Sequence, residues 1–417
     1  MDPPVPEVFP LDFDALAHPH VLTCCGVLFV SGILCSAAGI GGGGVIVAAL
    51  MTFGHLSPRD AVPVSKAVVF CGAVVSLVLN SRKTQGGSGQ PLINWDIIRM
   101  MIPMALIGTL LGVLANVHLP ESVIVIVLTT LLCGMTVSTT LKGWAQYQNE
   151  LAAEEQQESL AGAPDPAEEA DYQTFPAQAK EDCKPFTGGD AVVLSSLLVL
   201  TIFGGVLRFH IHECLTAGHA LSGARVFPNP AQCAHPVLTT FLGGHIGDWL
   251  AEAELAPHLG HLFGGVPLVL CGGLATFYYH RLAMSGHWSH QKLLAYQTVS
   301  CGTGLLAGLV GVGGGLIFSP FFLMMKVDPA VAVATSATCV VFTSTSTTFQ
   351  YLLMDRVSIV VALAYGIVNC FSSWVGTTLV HQLGDRFENR KSYITFIVAA
   401  SVAASAVLAV GKSFYHP

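Results

Sequence analysis

The sequence predicts an all-α polytopic membrane protein built from two homologous repeats. Three observations predict it. The 417 residues are 52% hydrophobic and 11% charged, with a mean hydropathy of +0.63, as in chains that fill a bilayer. Uncharged runs of span length recur along the chain. A glycine cluster within one such run, GIGGGGVIVAAL at 39–50, has a counterpart, GVGGGLIFSP, at 311–320.

From the N-terminus, residues 1–20 form a tail with Asp2, Glu7, Asp12 and Asp14 and no Lys or Arg. A secretory leader needs a basic start, so the apolar run that follows is expected to remain in the mature protein. Apolar runs then fall at 21–53, 61–80, 100–117, 121–141, 191–207, 262–279, 295–325, 330–353, 357–380 and 392–411. Eight have ordinary span length. The runs 21–53 and 295–325 do not: as straight helices they would measure about 45–50 Å, against a hydrocarbon core of about 30 Å. Each carries its glycines near the middle.

Residues 142–190 form an acidic loop rich in Glu, Asp, Ala, Gln and Pro, read as a disordered linker. Residues 191–291 hold two further spans and a loop, 208–261, that carries seven of the sixteen histidines. The net charge of −8 without a basic block gives no support for binding nucleic acid. The twelve cysteines include no CxxC pair. Most read as small buried hydrophobes, while Cys214 and Cys233 share the polar loop and could pair in an oxidising compartment.

The two glycine clusters belong to a longer frame. Pro58 precedes Ala61-Val62 and Ser65; Pro329 precedes Ala332-Val333 and Ser336 at the same spacing. Three ordinary spans follow each copy. This reads as an internal duplication, with repeats at 21–141 and 292–411. Duplicated halves with interrupted helices mark secondary transporters.

At these residues the chain resembles the sulfite exporter TauE/SafE family, also grouped as sulfonate-uptake permeases. The likeness spans both glycine segments and the helices after them. The middle portion, 142–290, departs from the compact bacterial pattern in the way of longer eukaryotic members. The resemblance implies movement of sulfite, sulfonates or related sulfur anions, or of other small organic anions; the expected partners are a lipid bilayer and a small anionic substrate, homo-oligomers being possible. No enzyme activity and no cofactor are expected.

The glycines suit such a task. Where a helix restarts after a break, its first N–H groups are unpaired and its dipole end is positive. Gly41, Gly42, Gly43 and Gly44, with Gly313, Gly314 and Gly315, are therefore candidate facing cradles for an oxyanion near the midplane. Tight helix packing through small residues is the alternative. No Gly-Lys-Ser/Thr follows either cluster, which excludes a nucleotide loop of that kind. Lys66, one residue after Ser65, is either a counter-charge for the anion or a side chain snorkelling to the interface. Its aligned partner, Ala337, is neutral. Thr335, Ser336 and Thr338 read as part of a polar path, and the later run Thr343 to Thr348 as packing. Asn116 and Asn369 have weaker claims. No metal site is assigned. His210, His212, Glu213, Cys214 and His219 match no tight zinc spacing.

If each glycine segment is re-entrant, twelve of the eighteen Lys and Arg fall on one side, which places the acidic loop in the cytosol and the His-rich loop outside. Single crossings give a weaker ten-to-eight split. The membrane could be the plasma membrane or an internal one. Two other functions stay open at this stage: divalent-metal transport through the His-rich loop, and a non-transporting scaffold whose acidic loop recruits partners. The sequence lacks an intramembrane Ser-His pair, an Asp pair or HExxH, which weighs against an enzyme.

Overall fold

A computed structural model describes residues 19–37, 41–83, 91–161, 187–221, 259–284, 288–325, 327–354, 356–384 and 392–415. Among these residues the regular elements are twelve helices: α1 (Pro19–Ala37), α2 (Gly43–Thr52), α3 (Pro58–Ser81), α4 (Trp95–His118), α5 (Glu121–Ala161), α6 (Gly188–Leu221), α7 (Leu259–Met284), α8 (His290–Val310), α9 (Gly315–Met324), α10 (Pro329–Leu353), α11 (Ile359–Gly384) and α12 (Ser392–Tyr415). Among the described residues, seven helices are long and apolar enough to cross a membrane. The overlong runs 21–53 and 295–325 are each split in two, into α1 and α2 and into α8 and α9.

The prolines that frame the repeats start helices. Pro58 and Pro329 sit in the first turns of α3 and α10, where a missing N–H costs nothing. Ser57 caps α3 by accepting from Asp60 N–H, and Asp328 caps α10 by accepting from Ala330 and Val331 N–H.

Two expected loop boundaries move. The acidic stretch was expected to be disordered from residue 142, yet α5 continues to Ala161. Its sequence AQYQNELAAEEQQESLA consists largely of good helix formers. At 41 residues, α5 is about 60 Å long, so one end must project beyond a bilayer. Similarly α6 runs through the first part of the His-rich loop, to Leu221. Residues 162–186 and 222–258, with Cys233 and most of the two loops, lie outside the described residues.

The helices pack pairwise across the chain. α8 lies on α4 and α1 on α11; α3 packs on α11 and α10 on α4; α3 meets α10 and α5 meets α12. Glycines set the closest of these contacts. A Cβ at Gly308 of α8 would lie 2.7 Å from Val113 N and 2.8 Å from Thr109 O, and one at Gly112 of α4 would lie 2.9 Å from Gly308 Cα. This is backbone-to-backbone packing of the small-residue kind. Gly376 of α11 meets the Ile33 backbone of α1 in the same way.

A buried ion pair ties α4 to α6, the first of the two middle helices. Arg99, 5% exposed, binds Asp96 Oδ1 and Asp190 Oδ2 at 2.7 Å each. Breaking a buried pair by removing one partner strands the other. Arg99→Gln is expected to destabilise the fold by about 3–5 kcal/mol, read as thermal unfolding of the detergent-purified protein. Adding Asp96→Asn and Asp190→Asn to the same chain should recover part of the loss. An unchanged midpoint for Arg99→Gln would reject the assignment.

Candidate functional site

The two helix breaks are built by glycine backbone. Gly41 and Gly42 have φ of 70° and 63°, and Gly311 has φ of 74°. Consecutive left-handed residues such as 41 and 42 are unfavourable for any side chain with a Cβ. They let the chain turn sharply out of α1 into α2. Intrahelical bonding resumes with Ile46 N–H on Gly42 O (2.9 Å) and Phe318 N–H on Gly314 O (2.9 Å). At the second restart Ile317 N–H also binds Gly314 O and Leu316 N–H binds Gly313 O (3.0 Å each), and each restart presents a positive dipole end.

The breaks cross each other. A Cβ at Gly43 would lie 2.6 Å from Gly311 O and 2.8 Å from Gly313 Cα. One at Gly313 would lie 3.0 Å from Gly43 N and 3.1 Å from Gly41 O. The clusters are thus brought together, backbone against backbone, with no room for an anion between Gly43 and Gly313. Gly44 instead faces Leu132 of α5, and Gly314 faces Phe318.

Side chains from three helices cover the carbonyls at the end of α8. Tyr351 Oη donates to Gly308 O (2.7 Å), and Asn116 Nδ2 donates to Leu309 O (2.7 Å). Ser65 Oγ reaches Gly311 O at 3.4 Å besides its own Val62 O at 2.7 Å. Lys66 Nζ donates to Val312 O at 2.7 Å. The carbonyls of Gly308 and Leu309 lie in the last turn of α8 and those of Gly311 and Val312 just beyond it, at the negative end of its dipole, where a cation is favoured.

Lys66 is fully buried. The snorkelling alternative is therefore overturned: the side chain runs inward to the other half's break and not out to an interface. Among the described residues Lys66 belongs to none of the ion pairs, and the ammonium, with three donors, has Val312 O as its hydrogen-bond acceptor.

The α10 hydroxyls are mostly committed. Thr335 Oγ1 accepts from Asn94 N–H (3.1 Å) and so holds the start of α4, while Thr338 Oγ1 donates to Ala334 O (2.9 Å). Ser336 is fully buried beside them. Thr343, Ser344, Thr345 and Thr347 bond to carbonyls three or four residues back, as expected for packing residues.

A small cavity, about 20 Å³, opens beside the first break. Gly41, Gly42, Ser36, Ser76, Asn369 and Ser373 line it, with Ala337 and Val340 of α10. It has room for about one water. Ser36 Oγ and Ser373 Oγ share a 2.8 Å hydrogen bond across it, joining α1 to α11. Asn369 Nδ2 donates to Val68 O at 2.7 Å. Sequence reasoning missed Ser36, Ser76 and Ser373. The available signal was Asn369 and Ser373, four apart and so on one helix face, with Ser36 three residues before Gly39.

Among the described residues no group of His, Cys, Asp or Glu could hold a metal ion. The side chains of His210, His212, Glu213, Cys214 and His219 lie outside the described residues.

Comparison with known proteins bears on the site as a whole. A family model described as sulfite exporter TauE/SafE matches residues 24–178 and 186–404, which include both breaks. The chain is 25% identical over 377 residues, 89% of its length and 74% of the relative's, to sulfite exporter TauE/SafE family protein 3 of Arabidopsis thaliana. It is 24% identical over 410 residues, 92% of its length and 81% of the relative's, to sulfite exporter TauE/SafE family protein 5 of the same plant. No solved structure matches it.

Proposed function

The chain belongs to the sulfite exporter TauE/SafE family, whose members are membrane transporters and not enzymes, and from this we propose that it moves a small sulfur-containing or organic anion of the sulfite or sulfonate class by secondary alternating access. One observation carries the reading. Two interrupted helices cross at glycine backbone, deep in the helix bundle, with the positive dipole ends of both restarts and a fully buried ammonium beside the crossing. Irregular backbone at membrane depth is tolerated where it is buried or lines a cavity, and helix N-termini favour anions.

Further features support the finer points. Every packed pair named above maps onto itself or another when α1–α5 are exchanged with α8–α12, as inverted repeats would require. At 10 residues each, α2 and α9 are about 15 Å long, half a hydrocarbon core, which fits re-entrant segments. No nucleotide loop occurs in the sequence, so an ion gradient or the substrate's own gradient drives the cycle. We place the region after α5 in the cytosol on the Lys and Arg distribution.

The test is uptake of radiolabelled sulfite into liposomes holding the purified protein, against a Gly42→Leu/Gly314→Leu variant. Uptake should fall at least about tenfold, the equivalent of about 1.4 kcal/mol at the barrier. Sulfonates should compete and chloride should not. A folded wild type that moves neither sulfite nor any of a panel of small organic anions would reject the proposal.

A further inference from the structure

The repeats are alike in frame but unlike at one position, and the structure has a matching difference in its filled volume. Aligning Pro58 with Pro329 pairs Lys66 with Ala337. At the second break Lys66 reaches in from α3 and its ammonium binds Val312 O. At the first break Ala337 approaches from α10 and ends at its Cβ. The cavity lies there, with Ala337 in its wall and the left-handed Gly41 and Gly42 opposite. The space that a lysine fills in one half is vacant in the other.

We propose that this cavity at the first break is the substrate subsite, taking one small oxyanion of the sulfite class, and that Lys66 permanently plugs the second break. The inference rests on the anion-transport reading above and adds which half binds. No charged side chain lines the cavity. An anion there meets the positive end of α2, the hydroxyls of Ser36, Ser76 and Ser373, and the Asn369 amide. Ser36 and Ser373 are hydrogen-bonded to each other, so both hydroxyls can turn to donate to a guest's oxygens while one neutral pair is lost. In the present arrangement the space takes about one water. A pyramidal oxyanion is larger, so entry must part α1 from α11 at that serine pair. Binding and helix movement are then one event. The wall offers several directed donors, which match three oxygens better than one spherical halide.

The experiment uses the full chain in liposomes and sulfite as the probe. Ala337→Met puts an unbranched chain of nearly the length of Lys66 into the cavity. Sulfite uptake should drop at least about tenfold, and the rise in melting temperature that sulfite gives the wild type should vanish. Ser373→Ala, a smaller change that preserves folding, should raise KM by about three- to tenfold, the range for one hydrogen bond, with Vmax kept. If Ala337→Met fails to fold, Ser373→Ala decides alone. Wild-type uptake and KM in a folded Ala337→Met, or an unchanged KM in Ser373→Ala, would overturn the subsite and leave anion transport standing. A wild type that neither moves nor is stabilised by sulfite or any other small anion would overturn both.

Discussion

Gly43→Ala is expected to abolish transport and to destabilise the protein by about 3 kcal/mol or more, although alanine is the better helix former. Gly43 opens α2 with ordinary helical backbone, so propensity alone predicts a gain of up to about 1 kcal/mol. Sterics decide the outcome. The new methyl would overlap Gly313 N outright and would lie 2.6 Å from Gly311 O and 2.8 Å from Gly313 Cα. All three atoms are backbone. No rotamer change relieves the overlap, so the two breaks must separate, and α2 and α9 with them. Neighbouring glycines provide the controls. A Cβ at Gly44 meets the tip of Leu132, a flexible side chain, at 2.9 Å, and one at Gly134 meets nothing within 4 Å. Gly44→Ala should therefore be mild, and Gly134→Ala neutral or slightly stabilising. Thermal unfolding in detergent and sulfite uptake, run on the three variants together, check this order. A Gly43→Ala protein that melts and transports like the wild type would mean that the breaks do not touch.

The breaks themselves were legible because glycine has a local signature. Two clusters in overlong apolar runs, with prolines at matched spacing, predict interruption wherever the rest of the chain goes. The interrupted runs did become α1 with α2 and α8 with α9. Helix ends in polar sequence were less legible. Residues 142–161 carry the charge of a linker and the propensity of a helix, and propensity prevailed in α5. The wall of the cavity was illegible for a different reason. Ser36 and Ser373 stand 337 residues apart, each an ordinary small residue on a membrane helix. Only tertiary packing puts them against one another. Lys66 fell between these cases. Its residue type announced a buried function, but five residues into a span it could equally have reached water. What settled its direction was the position of Val312, a backbone atom contributed by the other half of the chain.

Replacing Lys66 by methionine should separate what its length does from what its charge does. Methionine is also unbranched and buries well, so the second break stays filled. The loss of charge pulls stability two ways. Val312 O loses its donor, a cost of about 1–3 kcal/mol for a buried polar group. At the same time the fold no longer carries a buried ammonium, which is costly at membrane depth. These oppose one another, and the melting temperature should move little. Transport should not be spared. Among the described residues, Lys66 and Arg99 are the buried cations, and Arg99 is held by two carboxylates. Lys66 is therefore the charge available to an anion near the breaks. For an anion within about 6–8 Å of it, at an effective dielectric near 20, that attraction would be worth about 2–3 kcal/mol. Sulfite uptake at low concentration should accordingly fall by about 30- to 150-fold, chiefly through KM if the charge acts on the bound anion. Lys66→Arg keeps the charge on a bulkier head and should recover part of it. A Lys66→Met protein with wild-type KM and Vmax would reduce the lysine to a cap on α8. A collapse in Vmax at constant KM would move its role to the step in which the halves exchange access. The hydroxyls at the first break and the charge that Lys66 carries to the second then act on one anion, which two identical repeats could not arrange.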